Sequence, residues 1–315
     1  MTQNSRSAVI SKDASQLSIE RIKPLYARVG VLGVGHHTYW PQFDGLLDEI
    51  EEKQKVFEER IGRQNVEVVS LGMSDGAETA YELIPDIKAA NLDLLFIDML
   101  TYATSSSIAA IFREINLPMV MVALQPMEAM DYARASTYMQ LLNDDICAIP
   151  EFINVAVRLG RPVPPMVIGT LHNDEAAEQA VAEYCQIAKV LHSLKTARIG
   201  QMGHVLEAML DMHTDPTQLS AAFGCHVVQT EPDDVLKHYQ SADDAEVKDY
   251  VQKILSFFDT PDPQSDPITK KLSREDLYEA ARVGVSLNHF IKEKKLDGLA
   301  YYYEGQPESE IRKGV

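Results

Sequence analysis

Apolar residues along this chain alternate between short β-branched runs and longer stretches in which they recur every three or four positions. The first run covers residues 27–33 and closes at Gly33. A helix is predicted over 41–60, where Phe43, Leu46, Leu47 and Ile50 fall at helical spacing with Glu and Lys on the other side. A strand follows at 66–71 and a helix at 77–90. The run 92–97 is almost wholly apolar, as a strand covered on both faces of a parallel sheet would be. Next come helix 105–115, strand 118–124, strand 166–169 and a long helix over 174–194 with Asn173 as its N-cap.

Strands alternating with helices at this pace read as βαβ units. Five strands suit a flavodoxin-like order, in which ligands bind beyond the carboxyl ends of the strands. The predicted fold is α/β, a flavodoxin-like doubly wound parallel sheet followed by a second α/β domain. That second domain begins near Thr196, with strands at 198–201 and 225–230 and helices between and after them. Three prolines and three aspartates within 258–268 mark a loop or lid. Ser273 then caps a helix running to about Lys294, with Asp276 completing a capping box, and a last strand over 297–303 ends at Glu304. Residues 1–26 lack the apolar core of a signal peptide and read as a flexible leader. Residues 27–195 form the N-terminal α/β domain, and 196–315 a middle α/β domain that reads as incomplete.

Composition narrows the class of partner. Hydrophobic residues at 45% and charged residues at 24% are ordinary for a globular chain, so disorder is excluded. A formal net charge of −18 repels phosphate, which excludes nucleic acid and anionic membranes as partners. No segment approaches the roughly 20 apolar residues that a bilayer span needs. Cys147, Cys185 and Cys225 form no CxxC pair and read as free thiols in a reducing, cytoplasmic compartment.

The chemistry gathers at the predicted strand tips. After strand one stands Gly33-Val34-Gly35-His36-His37-Thr38-Tyr39-Trp40-Pro41. A dinucleotide loop would need a third glycine where Thr38 stands, and an acid after strand two where Ser70-Leu71-Gly72 stands. Two imidazoles, a hydroxyl, a phenol and an indole suit a hydroxyl-rich ligand better, since aromatic faces stack on sugar CH groups and imidazoles exchange hydrogen bonds with hydroxyls. Tyr39 and Trp40 have a plainer reading too, as packing against the next helix. At the third tip, Asp98, Thr101 and Tyr102 offer a ligand wall, although Asp98 reads equally well as a group fixing a loop amide. Gln125 at the fourth tip is neutral and bidentate.

In order and spacing these motifs resemble the L-arabinose/L-fucose isomerase family. His36-His37-Thr38-Tyr39-Trp40-Pro41 is similar to that family's strand-one loop, with His36 in place of its Gln. Leu100-Thr101-Tyr102, Gln125, Arg198–Gly203, Met209-Leu210-Asp211, Glu279-Ala280-Ala281-Arg282 and Tyr301-Tyr302-Tyr303-Glu304 complete the resemblance. It implies aldose–ketose isomerisation through an enediol on a small-molecule sugar, with Mn²⁺ as cofactor in a homo-oligomer. His36, Thr38, Tyr39, Tyr102, Gln125 and Met209 would contact substrate, and Glu304 would serve as metal ligand and catalytic carboxylate. The family's second Glu and both His would lie beyond residue 315, so the resemblance implies an incomplete centre and an inactive chain. The alternative is a non-catalytic sugar-binding or assembly protein derived from that family.

Overall fold

The structure is a computed structural model that describes residues 23–258 and 273–302. Most of the expected leader, the proline-rich stretch, Tyr303 and Glu304 lie outside the described residues. The chain divides into two compact units, Leu25–Ser193 and a second that holds residues 23–24 and the described part of 194–302.

In the first unit the order is β1 (Arg28–Val34), α1 (Leu46–Gly62), β2 (Glu67–Ser74), α2 (Ala77–Ala89), β3 (Leu94–Met99), α3 (Ser106–Glu114), β4 (Met119–Gln125), α4 (Thr137–Leu142), α5 (Ile149–Arg158), β5 (Met166–Thr170) and α6 (Glu175–Thr196). The strands are all parallel in the order β2-β1-β3-β4-β5, the flavodoxin-like arrangement. The chain leaves β1 for one side, then crosses to β3 on the other. The switch point therefore lies between the carboxyl ends of β1 and β3.

Alternation along the strands builds two cores. Leu32, Leu95, Ile97 and Met121 face Ile84, Ile108, Ile111 and Phe152 of α2, α3 and α5. Val29, Val31, Phe96 and Val122 face Phe57 and Ile61 of α1 and Val181 and Cys185 of α6. Both faces of β3 are thus buried, which is why its sequence carries no polar alternation.

Three details differ from the sequence reading. The helix expected from residue 41 begins at Leu46, because Gly45 adopts φ 81° and residues 37–39 form a 3₁₀ turn. Phe43 consequently precedes the helix. Asn173 is not the cap of α6; it takes φ 57°, and Asp174 caps instead, accepting from the N–H groups of Ala177 and Thr170 at 3.0 Å each. These bonds hold the Asp174 carboxyl below the usual carboxylate range. Residues 126–165, left without an element in the sequence reading, contain α4 and α5.

The second unit contains β6 (Arg198–Met202), α7 (Pro216–Phe223), β7 (His226–Thr230), α8 (Pro232–Gln240), α9 (Asp244–Phe257), α10 (Arg274–Lys294) and β8 (Gly298–Tyr301). Its parallel sheet runs β7-β6-β8. Met202, Val235, Phe290 and Leu296 form one core cluster, and Val247, Val251, Ala281 and Val285 another. The expected capping box is present: Ser273 Oγ accepts from Asp276 N at 3.2 Å, and the Asp276 carboxylate accepts from Ser273 N at 2.6 Å. In the EAAR stretch, Glu279 accepts from the Tyr239 hydroxyl, and Arg282 bonds Asp244 at 2.6 Å and the Ala242 carbonyl at 3.3 Å. Its polar side chains thus tie α10 to α8 and α9. Among the described residues no helix is long and apolar enough to cross a membrane.

Asp174→Ala removes a cap that serves two backbone donors, and is expected to cost about 1–2 kcal/mol of stability. The shift of the urea-unfolding midpoint measures it, and Asp174→Asn should recover most of the loss.

Candidate functional site

Beyond the carboxyl ends of β1 and β3 lies a hollow of about 370 Å³, lined by Tyr39, Gln42, Phe43, Tyr102, Thr137, Gln140, Leu141 and Asp144. Its position is the one that the strand order marks for ligands. A larger hollow of about 510 Å³ opens at the opposite, amino-terminal ends of β3, β4 and β5, between 115–120 and 161–165. Arg161 is its one charged lining residue, and that guanidinium already donates to the Ile115 carbonyl at 2.6 Å. Convergent polar groups, which orient a ligand, favour the smaller hollow.

Three expected residues come together here. The His36 ring lies 5.1 Å from that of Tyr39 and 6.4 Å from that of Tyr102, and the two tyrosine rings are 6.5 Å apart. His36 Nδ1 is buried without a hydrogen-bond partner. Tyr102 donates to Glu151 Oε1 at 3.0 Å, a bond that keeps its phenol protonated and, with burial, raises its pKa. Tyr39 is raised too, chiefly by burial and then by the charge of Asp144. Both phenols therefore keep their protons at neutral pH, that of Tyr102 already engaged in its hydrogen bond to Glu151.

Asp144 is the only carboxyl among the lining residues. Burial raises it, and the neighbouring Cys147 thiol opposes the rise. Cys147 is itself raised by burial and by the charges of Asp144 and Glu151, so it is a protonated donor and not a nucleophile.

The remaining expected residues have other places. Thr38 is exposed, and its carbonyl accepts from Gln42 Nε2 at 2.7 Å. Gln125 commits its amide to the Asn143 carbonyl at 2.5 Å, and Asn143 Oδ1 accepts from Met127 N at 2.9 Å. Gln125 acts as a strut for the 141–145 segment. Trp40 follows the plainer packing reading, joining Leu46 and Ile50 and donating to Asp75 Oδ2 at 2.8 Å. Gly33 and Gly35 leave room for neighbouring side chains: a Cβ on Gly33 would meet Gln54 and Leu100 within 2.6 Å, and one on Gly35 would meet Met73 at 2.8 Å. Met209 belongs to the second unit, 42% exposed beside the 3₁₀ turn Leu210–Met212. In that unit the tips of β6 and β8 bring the rings of His204 and Tyr302 to 4.1 Å. Glu304 lies outside the described residues.

The floor of the hollow rests on residues that sequence reasoning missed. Lys53, assigned to a solvated helix face, is 6% exposed. Its ammonium donates to the carbonyls of Leu100 (2.7 Å) and Leu142 (2.9 Å) and to Asp145 Oδ1 (2.7 Å). Thr101 Oγ1 donates to the Leu141 carbonyl at 2.6 Å. A signal existed: Lys53 lies three residues after Ile50 and four before Phe57, on the buried stripe of α1. Lys53 attracts the Asp145 carboxylate, yet burial outweighs it and pushes that carboxyl up to about 7, with Oδ2 left unpartnered. Asp98, 3% exposed, is raised well above its ordinary value by burial, and its Oδ2 meets no partner.

Among the described residues, no three His, Cys, Asp or Glu side chains are placed to hold a metal. Those residues do not fit a Mn²⁺ centre.

No protein-family model matches the chain, and no curated protein matches it. Among solved structures, a conserved domain protein from Vibrio cholerae O1 biovar eltor is 12% identical over 88% of this chain and 89% of that one, with a TM-score of 0.26. A substrate binding protein with adhesive properties from Clostridium difficile, in its ligand-free, open structure, is 13% identical over 87% and 89%, with a TM-score of 0.24. Neither likeness carries an argument about fold or ligand.

Lys53→Met, which leaves Asp145 buried and unpaired, is expected to cost about 3–5 kcal/mol, and the double change Lys53→Met with Asp145→Leu to recover most of it. Urea unfolding of the three proteins decides the point. The raised Asp145 carboxyl also sets a pH dependence. It binds its proton more tightly folded than unfolded, so its stabilisation is full below its ordinary value of 3.8 and is lost as pH rises through about 7. Unfolding midpoints measured across that window should therefore fall with pH more steeply in the parent than in Asp145→Asn.

Proposed function

We propose that the first unit binds a sugar in the hollow at the β1/β3 switch point, as the sugar-holding part of a protein of the L-arabinose/L-fucose isomerase type. One observation carries the reading. Two protonated phenols, two primary amides, a threonine, a carboxyl and the ring of Phe43 converge on a single hollow of about 370 Å³. Aromatic faces suit the CH faces of a sugar ring, while the amides and phenols match its hydroxyls as both donors and acceptors. Such a set recognises hydroxyl-rich ligands and offers little to a purely apolar one.

Binding, and not turnover, is the activity that the described residues support. Isomerisation through an enediol needs a base beside the C1/C2 protons and a group to stabilise charge on oxygen. The resemblance assigns both tasks to Mn²⁺ and to carboxylates led by Glu304. If interconversion of an aldose and its ketose is found with Mn²⁺, Glu304→Gln is expected to abolish it while leaving sugar binding in place. The three cysteines are free, which fits the cytoplasm as the protein's compartment. A homo-oligomer completes the reading, and a monodisperse monomer by light scattering would count against that part.

The test uses the single tryptophan, Trp40, which packs in one cluster with Tyr39 and Phe43. Titration with aldopentoses, 6-deoxyhexoses and their ketoses should change its fluorescence saturably. Tyr102→Ala should weaken binding about tenfold, as the loss of one ring contact and one hydrogen-bonding phenol predicts. Gln140→Trp, at an exposed lining position, narrows the hollow and should abolish it. A titration that leaves the fluorescence flat, or binding indifferent to both variants, would sink the proposal.

A further inference from the structure

The adjacent carboxyls Asp144 and Asp145 meet opposite fates. Asp145 turns inward, 1% exposed, and finds a cation within the protein at 2.7 Å in Lys53. Asp144 turns to the hollow, and among the described residues no Lys, Arg or His pairs with it. The Cys147 thiol is the neighbouring group that offsets part of its burial. Around it the hollow presents the rings of Tyr39, Phe43 and Tyr102, and no lysine or arginine is among the lining residues. Glu151, bonded to the Tyr102 hydroxyl, places a second carboxylate beside the same wall.

A half-buried carboxylate without a counter-ion is costly, and three aromatic rings line the same hollow. A cation entering the hollow would meet the carboxylate in an aromatic-lined space, where its attraction strengthens as water leaves and where a ring face can add to it. The gatekeeping is equally plain: a phosphate or carboxylate on the ligand would face Asp144 and Glu151 with nothing of opposite sign to receive it. His36 packs edge-on against Tyr39 and Tyr102 and does not line the hollow.

We infer that the ligand of this hollow carries a protonated amine beside its hydroxyls, an amino sugar or a similar hydroxylated amine, with the ammonium at Asp144 and the rings of Tyr39, Phe43 and Tyr102 around it. The inference rests on the reading of the hollow as the sugar site and adds the charge that the sugar bears. Metal-type ligation plays no part in it, since an ammonium needs only a carboxylate and acceptor groups, which line the hollow.

Calorimetric titration of the full chain with matched probes tests it: pentoses and hexoses, their 2-amino-2-deoxy counterparts and their phosphate esters. The amine of the best pair should bind about tenfold more tightly than its neutral partner, the phosphate should bind most weakly, and Asp144→Asn should bring amine and neutral sugar to equal affinity. Circular dichroism of Asp144→Asn verifies its fold, and Asp144→Glu should retain part of the preference. Neutral sugar bound as tightly as the amine, with both lost in Gln140→Trp, overturns the inference and leaves the sugar site standing. Amine binding that survives Gln140→Trp, or no binding by any probe, overturns both.

Discussion

A lysine ammonium with almost no access to water lies beneath the hollow, and the walls depend on it. An ammonium has three donors, and Lys53 has three acceptors: two backbone carbonyls and one carboxyl oxygen. Those acceptors come from separate parts of the chain, since Leu100 follows β3 while Leu142 and Asp145 end and follow α4. Lys53 itself stands on α1, whose preceding turn supplies Tyr39, Gln42 and Phe43. One cation therefore fixes the three wall segments to each other. Burying it is expensive, so the arrangement tolerates no partial version: every donor is satisfied or the charge is stranded.

Around that point the other polar side chains act as struts. Thr101 holds the Leu141 carbonyl, Gln125 holds the Asn143 carbonyl, and Tyr138 of α4 donates to Glu49 of α1 at 2.6 Å. Each removes a backbone group or side chain from solvent competition and locks the 137–145 segment over the strand tips. The result is a site whose outer groups, Tyr39, Gln140 and Asp144, are free for a ligand because the inner ones are committed to the protein. Preorganisation of this kind lowers the entropy lost on binding, so modest hydrogen-bond gains can show as affinity.

The strands were legible because β3 and β4 must be apolar on both faces, and only a short unbroken run satisfies that demand. Their order followed from five βα steps. Helix edges were less legible: Gly45 at φ 81° delays α1, and only the backbone conformation reveals it. The strand-tip rule found His36, Tyr39 and Tyr102, whose rings do converge. It missed Gln140 and Asp144 because α4 has six residues, too few to display a period, and Phe43 because the predicted helix 41–60 claimed it as a packing residue. Gln125 and Thr101 illustrate the reverse failure. A polar residue at a strand tip is needed by the architecture as often as by a ligand, and sequence alone does not tell which carbonyl it will meet. Lys53 was hidden by its own type, since the periodic stripe pointed inward and the charge argued outward.

The Asp144–Asp145 doublet shows how a single step along the chain separates structure from recognition. Adjacent side chains in an irregular segment point apart, so one carboxyl enters the protein and its neighbour reaches the hollow. The inner one is matched by a lysine that a helix presents at fixed depth. The outer one has no such match and shares its hollow with three aromatic rings instead, although nothing in the fold requires it to be acidic. A carboxyl that stabilises no strut, faces a hollow and raises the cost of emptying it of water is best understood through what it would hold there. By that logic the negative field at the switch point is a property of the site, whereas the ion pair one residue away is a property of the scaffold.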